Sequence, residues 1–337
     1  MPPRLLFREQ RSVHAGACRM RHPSEPMGLP LRMTSVVPPA NGSRDDLLAL
    51  VQLGGLMQLT PGVAECVIGL VDGPVAMGHP DMEAGGMRDV AGAAPAACTR
   101  ANSLACEHGT FVAGILCARR SSAAPAICPG ATLVVRPIFE EAPRPGAIPT
   151  ASPEELASAV ADCVEAGARL VNVSAALSHL PTANGARRLQ HALDFAAHRG
   201  AIVVAASGNS GVVGSTVITR HPWVISVAAC DRRGRPLSGS NVGASIGLRG
   251  LSAPGDTVTS LGADGGILAS TGTSVAAPFV TGAIALVWSL FPGATAGQVK
   301  EAVTRAHRLA RASLVPPLLS AWAIYRTMGT LTSRGGA

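Results

Sequence analysis

A chain of 337 residues with 47% apolar and 15% charged side chains can bury a sizeable core without staples, which excludes a disordered protein and a small disulfide scaffold. Its net charge of +7 is lopsided: residues 1–44 hold seven Arg against Glu9 and Glu25, or +5, and the remaining 21 basic and 19 acidic residues leave +2. Aromatics are only 3% and do not interleave with the basic residues, so nucleic-acid binding is not indicated.

Residues 1–44 contain several Pro and Gly, show no sustained periodicity and read as a mobile basic extension. A short helix is expected over 45–53. The run Cys66-Val67-Ile68-Gly69-Leu70-Val71 reads as a strand buried on both faces, ending in Asp72 and a Gly73-Pro74 turn. Cys98 and Cys106 flank a loop before His108 and are close enough to pair in an oxidising compartment; the preferred reading leaves them reduced. His108 stands at the start of an apolar helical pattern, 110–119. A strand follows at 132–138. Ser152-Pro153-Glu154-Glu155 then opens a helix over 153–166 with a cap, a proline at the first position and acids in the first turn.

Further strands are expected at 169–174, 201–206 and 223–229, with a helix at 185–199 between the first two. His191 and His198, seven apart, lack the i,i+4 spacing of a helical metal pair. Residues 249–253 and 257–261 are expected to form a short antiparallel pair. Gly272-Thr273-Ser274-Val275-Ala276-Ala277-Pro278 leads into a helix over 274–291, and a last helix is expected at 296–309. The apolar run 279–291 is too short to span a bilayer and reads as a core helix. Alternating strands and helices indicate an α/β fold, a mostly parallel central sheet with helices on both faces. The domain is expected to cover 45–328, with 329–337 as a flexible tail.

Four segments carry candidate chemistry. Ser274 lies between a Gly-Thr turn and the start of a helix, where backbone N–H groups are unpaired and the dipole is positive. A serine there has an exposed hydroxyl and an amide donor for a developing oxyanion. Pro278 suits that first turn, where a missing N–H costs nothing. Such a nucleophile needs a base and a group to orient it, and His108 and Asp72 are the candidates. Singly, each has an ordinary explanation: a turn residue for Asp72 or Asn209, a helix-end residue for His108 or Ser274. Together, in the order Asp…His…Ser, they match one known order of a catalytic triad.

With Ile202-Val203-Val204-Ala205-Ala206-Ser207-Gly208-Asn209-Ser210-Gly211, these segments resemble the subtilisin-like serine peptidase family over roughly residues 60–310. The spacings fit: 36 residues from Asp72 to His108, 101 on to Asn209 and 65 more to Ser274. The resemblance implies a subtilisin-like three-layer fold, Asp72, His108 and Ser274 as catalytic residues, and Asn209 as oxyanion-hole donor. It further implies substrate binding along Ser174, Ala175 and Ala176 and along Ala206, Ser207 and Gly208. Ala176 stands where the family usually has glycine, which puts the first specificity pocket in question. The Asp72-Gly73-Pro74 variant, Gly55-Leu56-Met57-Gln58-Leu59 and Arg136-Pro137-Ile138-Phe139 resemble the cyanobactin-maturation proteases.

The implied function is a serine endopeptidase working through an acyl-enzyme on a peptide or protein, such as a ribosomal precursor peptide. Two alternatives stand beside it: a transpeptidase or macrocyclase on the same triad, and a non-catalytic peptide-binding scaffold. The short Asp72–His108 interval leaves little room for the insertion expected of a cyclising member. No metal site or cofactor is expected, since no Cys-x-x-Cys occurs. No apolar signal segment follows the early arginines, and 1–44 is short for a folded pro-domain. Both readings point to a cytoplasmic enzyme without zymogen processing.

Overall fold

The computed structural model of the chain describes residues 27–28, 32–34, 44–82, 86–141, 150–175, 181–308 and 313–334. In chain order the first elements are β1 (Met27–Gly28), β2 (Arg32–Thr34), α1 (Arg44–Leu50), α2 (Gly54–Leu59), β3 (Val67–Asp72), β4 (Met87–Asp89), α3 (Leu104–Cys117), β5 (Thr132–Pro137), β6 (Thr150–Ala151) and α4 (Pro153–Glu165). The middle of the chain forms β7 (Leu170–Val173), α5 (Ala183–His198), β8 (Ile202–Ala206), α6 (Val217–Arg220), β9 (Val224–Cys230) and α7 (Ala244–Arg249). It closes with β10 (Leu251–Pro254), β11 (Val258–Leu261), β12 (Ile267–Thr271), α8 (Thr273–Leu290), α9 (Ala296–Ala306) and α10 (Ala321–Arg334).

Seven strands form one sheet in the order β10-β9-β8-β7-β3-β5-β4. Every pairing in it is parallel. The strands read as apolar runs because both faces are covered, and successive residues feed opposite cores. Ile68, Leu70, Ile202 and Val204 pack on one side with α2, α3, α8 and α10. Val71, Val173, Val203 and Ala205 pack on the other with α4 and α5. This is a three-layer α/β fold. Residues Thr273–Leu290 are long and apolar enough to cross a membrane, yet 89% of that stretch is buried inside the protein. α8 is the central core helix.

Several local expectations change. The antiparallel pair over 249–253 and 257–261 does not form. β10 joins β9 in parallel at the edge of the main sheet, and β11 pairs antiparallel with β12 across the Gly262–Gly266 turn. α3 starts six residues earlier than expected because Ser103 Oγ accepts from the Cys106 N–H and caps it. α9 ends at Ala306, and α10 runs to Arg334, into the stretch expected as a flexible tail. Within the basic extension, β1 pairs antiparallel with β6 and β2 pairs antiparallel with β12. Cys98 and Cys106 are joined in a disulfide, where the preferred reading had them reduced.

Candidate active site

β3 has β5 on one side and β7 on the other. Crossovers leave toward both sides of it, and a crevice opens outside the carboxyl ends of strands at such a switch point. Asp72 is the last residue of β3, placed in that crevice by the strand itself. Gly73 follows and presses against α3: a Cβ there would stand 2.0 Å from the Ala105 carbonyl oxygen. From the helix side, a Cβ on Gly109 would stand 2.3 Å from the Pro74 carbonyl oxygen. Two bare backbones therefore touch, and the approach seats His108 on Asp72. The Nδ1 of His108 lies 2.6 Å from Asp72 Oδ1, which also accepts from the Gly73 N–H at 2.6 Å. Both side chains are fully buried, so an imidazolium formed there would face its carboxylate with little screening.

Ser274 arrives from a third direction. β12 ends at Thr271, Gly272 turns the chain with φ +150°, and α8 begins at Thr273. Ser274 is thus the second helical residue, with its Oγ 3.1 Å from His108 Nε2. Carboxylate, imidazole and hydroxyl form a continuous relay.

Pro278 has a different role from the expected first-turn residue, being the sixth residue of α8. Its missing N–H leaves the Ser274 carbonyl, four residues back, without its helical donor. The Ser174 hydroxyl supplies the replacement at 3.0 Å. Ser174 Oγ accepts from Asn172 Nδ2 at 2.8 Å, and Asn172 Oδ1 accepts from the Thr281 hydroxyl at 2.8 Å. Ser174, expected on the substrate strand, spends its hydroxyl on fixing the nucleophile's backbone. Ala175, also buried, follows it at the end of β7. Ala176 lies outside the described residues.

Ala206, Ser207 and Gly208 lead from the end of β8 to Asn209. Asn209 Oδ1 accepts from the Thr273 N–H at 2.8 Å, and the Gly208 N–H donates to Thr273 Oγ1 at 3.2 Å. With its oxygen held, Asn209 turns Nδ2 toward Gly272, where an added Cβ would sit 2.9 Å from it. Ser274 is the second residue of α8, among the helix-start N–H groups that have no acceptor within the helix. A residue not singled out in the sequence braces the loop. Asn241 Oδ1 accepts from the Ser210 and Val212 N–H groups at 3.0 and 3.2 Å, and Asn241 Nδ2 donates to the Ser207 carbonyl at 3.1 Å. The Ser207 hydroxyl returns a bond to the Asn241 carbonyl at 2.9 Å. In sequence, Ser240-Asn241-Val242-Gly243 has only a turn signal, which carries no such information.

Among the described residues, one group has metal-like proximity: Cys98, Cys106 and Glu141, within 4.8 Å of one another. Its two sulfurs are bonded to each other, and Glu141 accepts from the Thr99 and Arg100 N–H groups. Burial pushes the Glu141 carboxyl up, and these hydrogen bonds more than offset that, holding it below the usual range. The group is a loop brace.

A parallel α/β sheet with this relay at its carboxyl edge defines a subtilisin-like serine peptidase. The chain belongs to that family: residues 64–318 match the subtilase family model. Among curated proteins, subtilisin DY of Bacillus licheniformis is 29% identical over 242 residues, covering 70% of this chain and 81% of that protein. A thermostable alkaline protease of Halalkalibacterium halodurans is 31% identical over 199 residues, 59% of this chain; the match spans about half, 51%, of the relative's length. Among solved structures, a mutant of the protease domain of PatA superposes with a TM-score of 0.71 at 27% identity, covering 82% of this chain and 98% of that one. The prenylagaramide maturation protease PagA gives 0.69 at 25% identity, over the same 82% and 98%. The PatG macrocyclase domain, at 19% identity and a TM-score of 0.71, shares the fold.

Proposed function

We propose that the chain is a serine endopeptidase that cuts a ribosomally made precursor peptide through an acyl-enzyme. The observation that carries this is the relay of 2.6 Å from Asp72 to His108 and 3.1 Å on to Ser274, set at a helix start beside Asn209. Ser274 Oγ attacks the scissile carbonyl as His108 Nε2 takes its proton, and His108 then delivers that proton to the leaving amine. Asp72 holds the imidazole tautomer and stabilises its cation. The Asn209 amide and the Ser274 N–H receive the oxyanion. Likeness to the PatA protease domain and to the maturation protease PagA supports a precursor peptide as the substrate class. Hydrolysis is preferred over cyclisation because, among the described residues between Asp72 and the start of α3, only β4 and turns occur, with no helix above the site.

A fluorophosphonate probe tests the nucleophile: the wild type is expected to label and Ser274→Ala to stay unlabelled. Mass spectrometry on a cyanobactin-type precursor peptide tests the reaction, with a linear carboxylic-acid product expected. Labelling that survives Ser274→Ala sinks the assignment, and a cyclic product replaces hydrolysis with aminolysis.

A further inference from the structure

Asn172, on β7, and Ser174, just past its end, are two residues apart, so their side chains leave the same face of the extended chain. Ser274 and Thr281 are the second and ninth residues of α8, and so lie two turns from each other on one helix face. α8 packs on β7, and the two faces meet. Asn172, Ser174 and Thr281 are all fully buried. The rest of β7 is Leu170, Val171 and Val173, and polar groups in such a core are costly unless each one finds a partner.

The partners form a line with one direction. The Thr281 hydroxyl donates to Asn172 Oδ1 at 2.8 Å, Asn172 Nδ2 donates to Ser174 Oγ at 2.8 Å, and the Ser174 hydroxyl donates to the Ser274 carbonyl at 3.0 Å. A hydroxyl has a single proton to give. Because Ser174 accepts from the amide, its proton goes to the carbonyl that Pro278 leaves without a helical donor. Turned over, the amide would face Ser174 with its oxygen, take that proton and leave the Ser274 carbonyl bare. Thr281 works against the turn. Its hydroxyl has a second acceptor in reach, the Ala277 carbonyl at 3.2 Å. That carbonyl already receives the Thr281 N–H within the helix, so the hydroxyl proton is left for the nearer Asn172 oxygen.

We propose that Thr281 is a positioning residue for acylation: by fixing which way the Asn172 amide faces, it keeps the Ser174 proton on the Ser274 carbonyl and the nucleophile aligned with its base. Thr281 touches no reacting atom. It acts through the line of hydrogen bonds on the residue whose Oγ stands 3.1 Å from His108 Nε2. A misplacement of about 1 Å there, caused far from the chemistry, costs up to about a hundredfold in rate. The inference deepens the peptidase reading of the triad and rests on it. An ordinary core threonine would contribute to stability alone, and the rate of acylation separates the two roles.

The test follows fluorophosphonate labelling of the full chain, resolved into a maximal rate and a half-saturating probe concentration, at a temperature where melting curves show each variant folded. Thr281→Val takes away the hydroxyl at nearly constant volume. Its maximal rate is expected to fall about tenfold with half-saturation unchanged, and Thr281→Ser should recover most of the loss. Ser174→Ala removes the last link, so adding Thr281→Val to it should lower the rate no further. If Thr281→Val does not fold, Thr281→Ala replaces it throughout; if that fails too, the residue holds the core and the proposal falls. It also falls if the hydroxyl-free variant keeps its maximal rate, if serine brings no recovery, or if the two effects multiply in the double variant. In those cases the peptidase reading stands, on a wild type that labels and a Ser274→Ala that does not. A wild type that fails to label, or a Ser274→Ala that labels, ends the peptidase reading and the proposal with it.

Discussion

Asn241 touches no reacting atom, yet it holds the loop that presents Asn209. It makes five bonds to that loop, two of them accepting N–H groups from Ser210 and Val212. Removing its side chain takes the acceptor from those donors; both residues are exposed, so water can replace it and the net loss is about 0.5–1.5 kcal/mol per bond. It also lets the Asn209 amide swing away from the oxyanion. The benchmark is Asn209→Ala, which is expected to lower kcat by about 10²–10³ with KM little changed, the range known for loss of the equivalent amide in a subtilisin. Asn241→Ala is expected to lower kcat by roughly tenfold to a hundredfold, again with KM little changed, because a displaced donor is weakened rather than lost. Steady-state kinetics on a trans-cleaved peptide measures both. A change confined to KM would place Asn241 in substrate binding instead.

At the scale of elements, the site depends on how closely β3 can end against α3. A methyl on Gly73 would meet the Ala105 carbonyl oxygen at 2.0 Å and its carbon at 2.6 Å, both backbone atoms that cannot rotate away. Gly73→Ala must therefore push α3 off the strand end. The expected cost is about 3 kcal/mol, or a Tm lower by roughly 6–12 °C, with turnover falling as the Asp72–His108 contact opens. Gly78→Ala, whose Cβ would meet nothing within 4 Å, is the control and should leave both unchanged. Calorimetry on the two variants checks this; equal Tm values would show that the contact is not tight. The strands and the four chemical motifs were legible because each is local: an apolar run buried on both faces, or a turn residue next to a helix start. Partner choice was not. Gly255-Asp256 between 249–253 and 257–261 looks like a hairpin turn, but β10 finds its partner in β9, 24 residues back (251−227), and β11 finds β12 across another turn. The same blindness hid the Thr281–Asn172–Ser174 chain, whose members meet only after α8 packs on β7.

At the scale of the whole molecule, the Cys98–Cys106 disulfide bears on how firmly the base is mounted. Ala96 and Cys98 bond to the backbone of Val75, just beyond Asp72, and Cys106 is two residues before His108. The bond therefore straps the exit of β3 to the first turn of α3. Closing a loop of eight residues limits the unfolded chain by roughly 2–3 kcal/mol. The remaining described cysteines, Cys66, Cys117, Cys128, Cys163 and Cys230, are buried and free. Burial pushes the thiol of Cys66 up to about 11 and those of Cys163 and Cys230 up to about 12. None of these three is a thiolate near neutral pH, so they should resist alkylation while the protein stays folded. Native protein treated with iodoacetamide is expected to leave all five unmodified, and mild reduction beforehand should add label at Cys98, the partly exposed member of the pair, Cys106 being buried like the five. The reduced form should melt at a lower temperature, with Ser274 still in place to react with a fluorophosphonate. Because such a bond persists only in an oxidising compartment, the same alkylation on protein taken directly from its own cells sorts the two locations. Label on Cys98 without prior reduction supports a cytoplasmic enzyme with an open strap, and its absence supports an enzyme that works outside the cytoplasm.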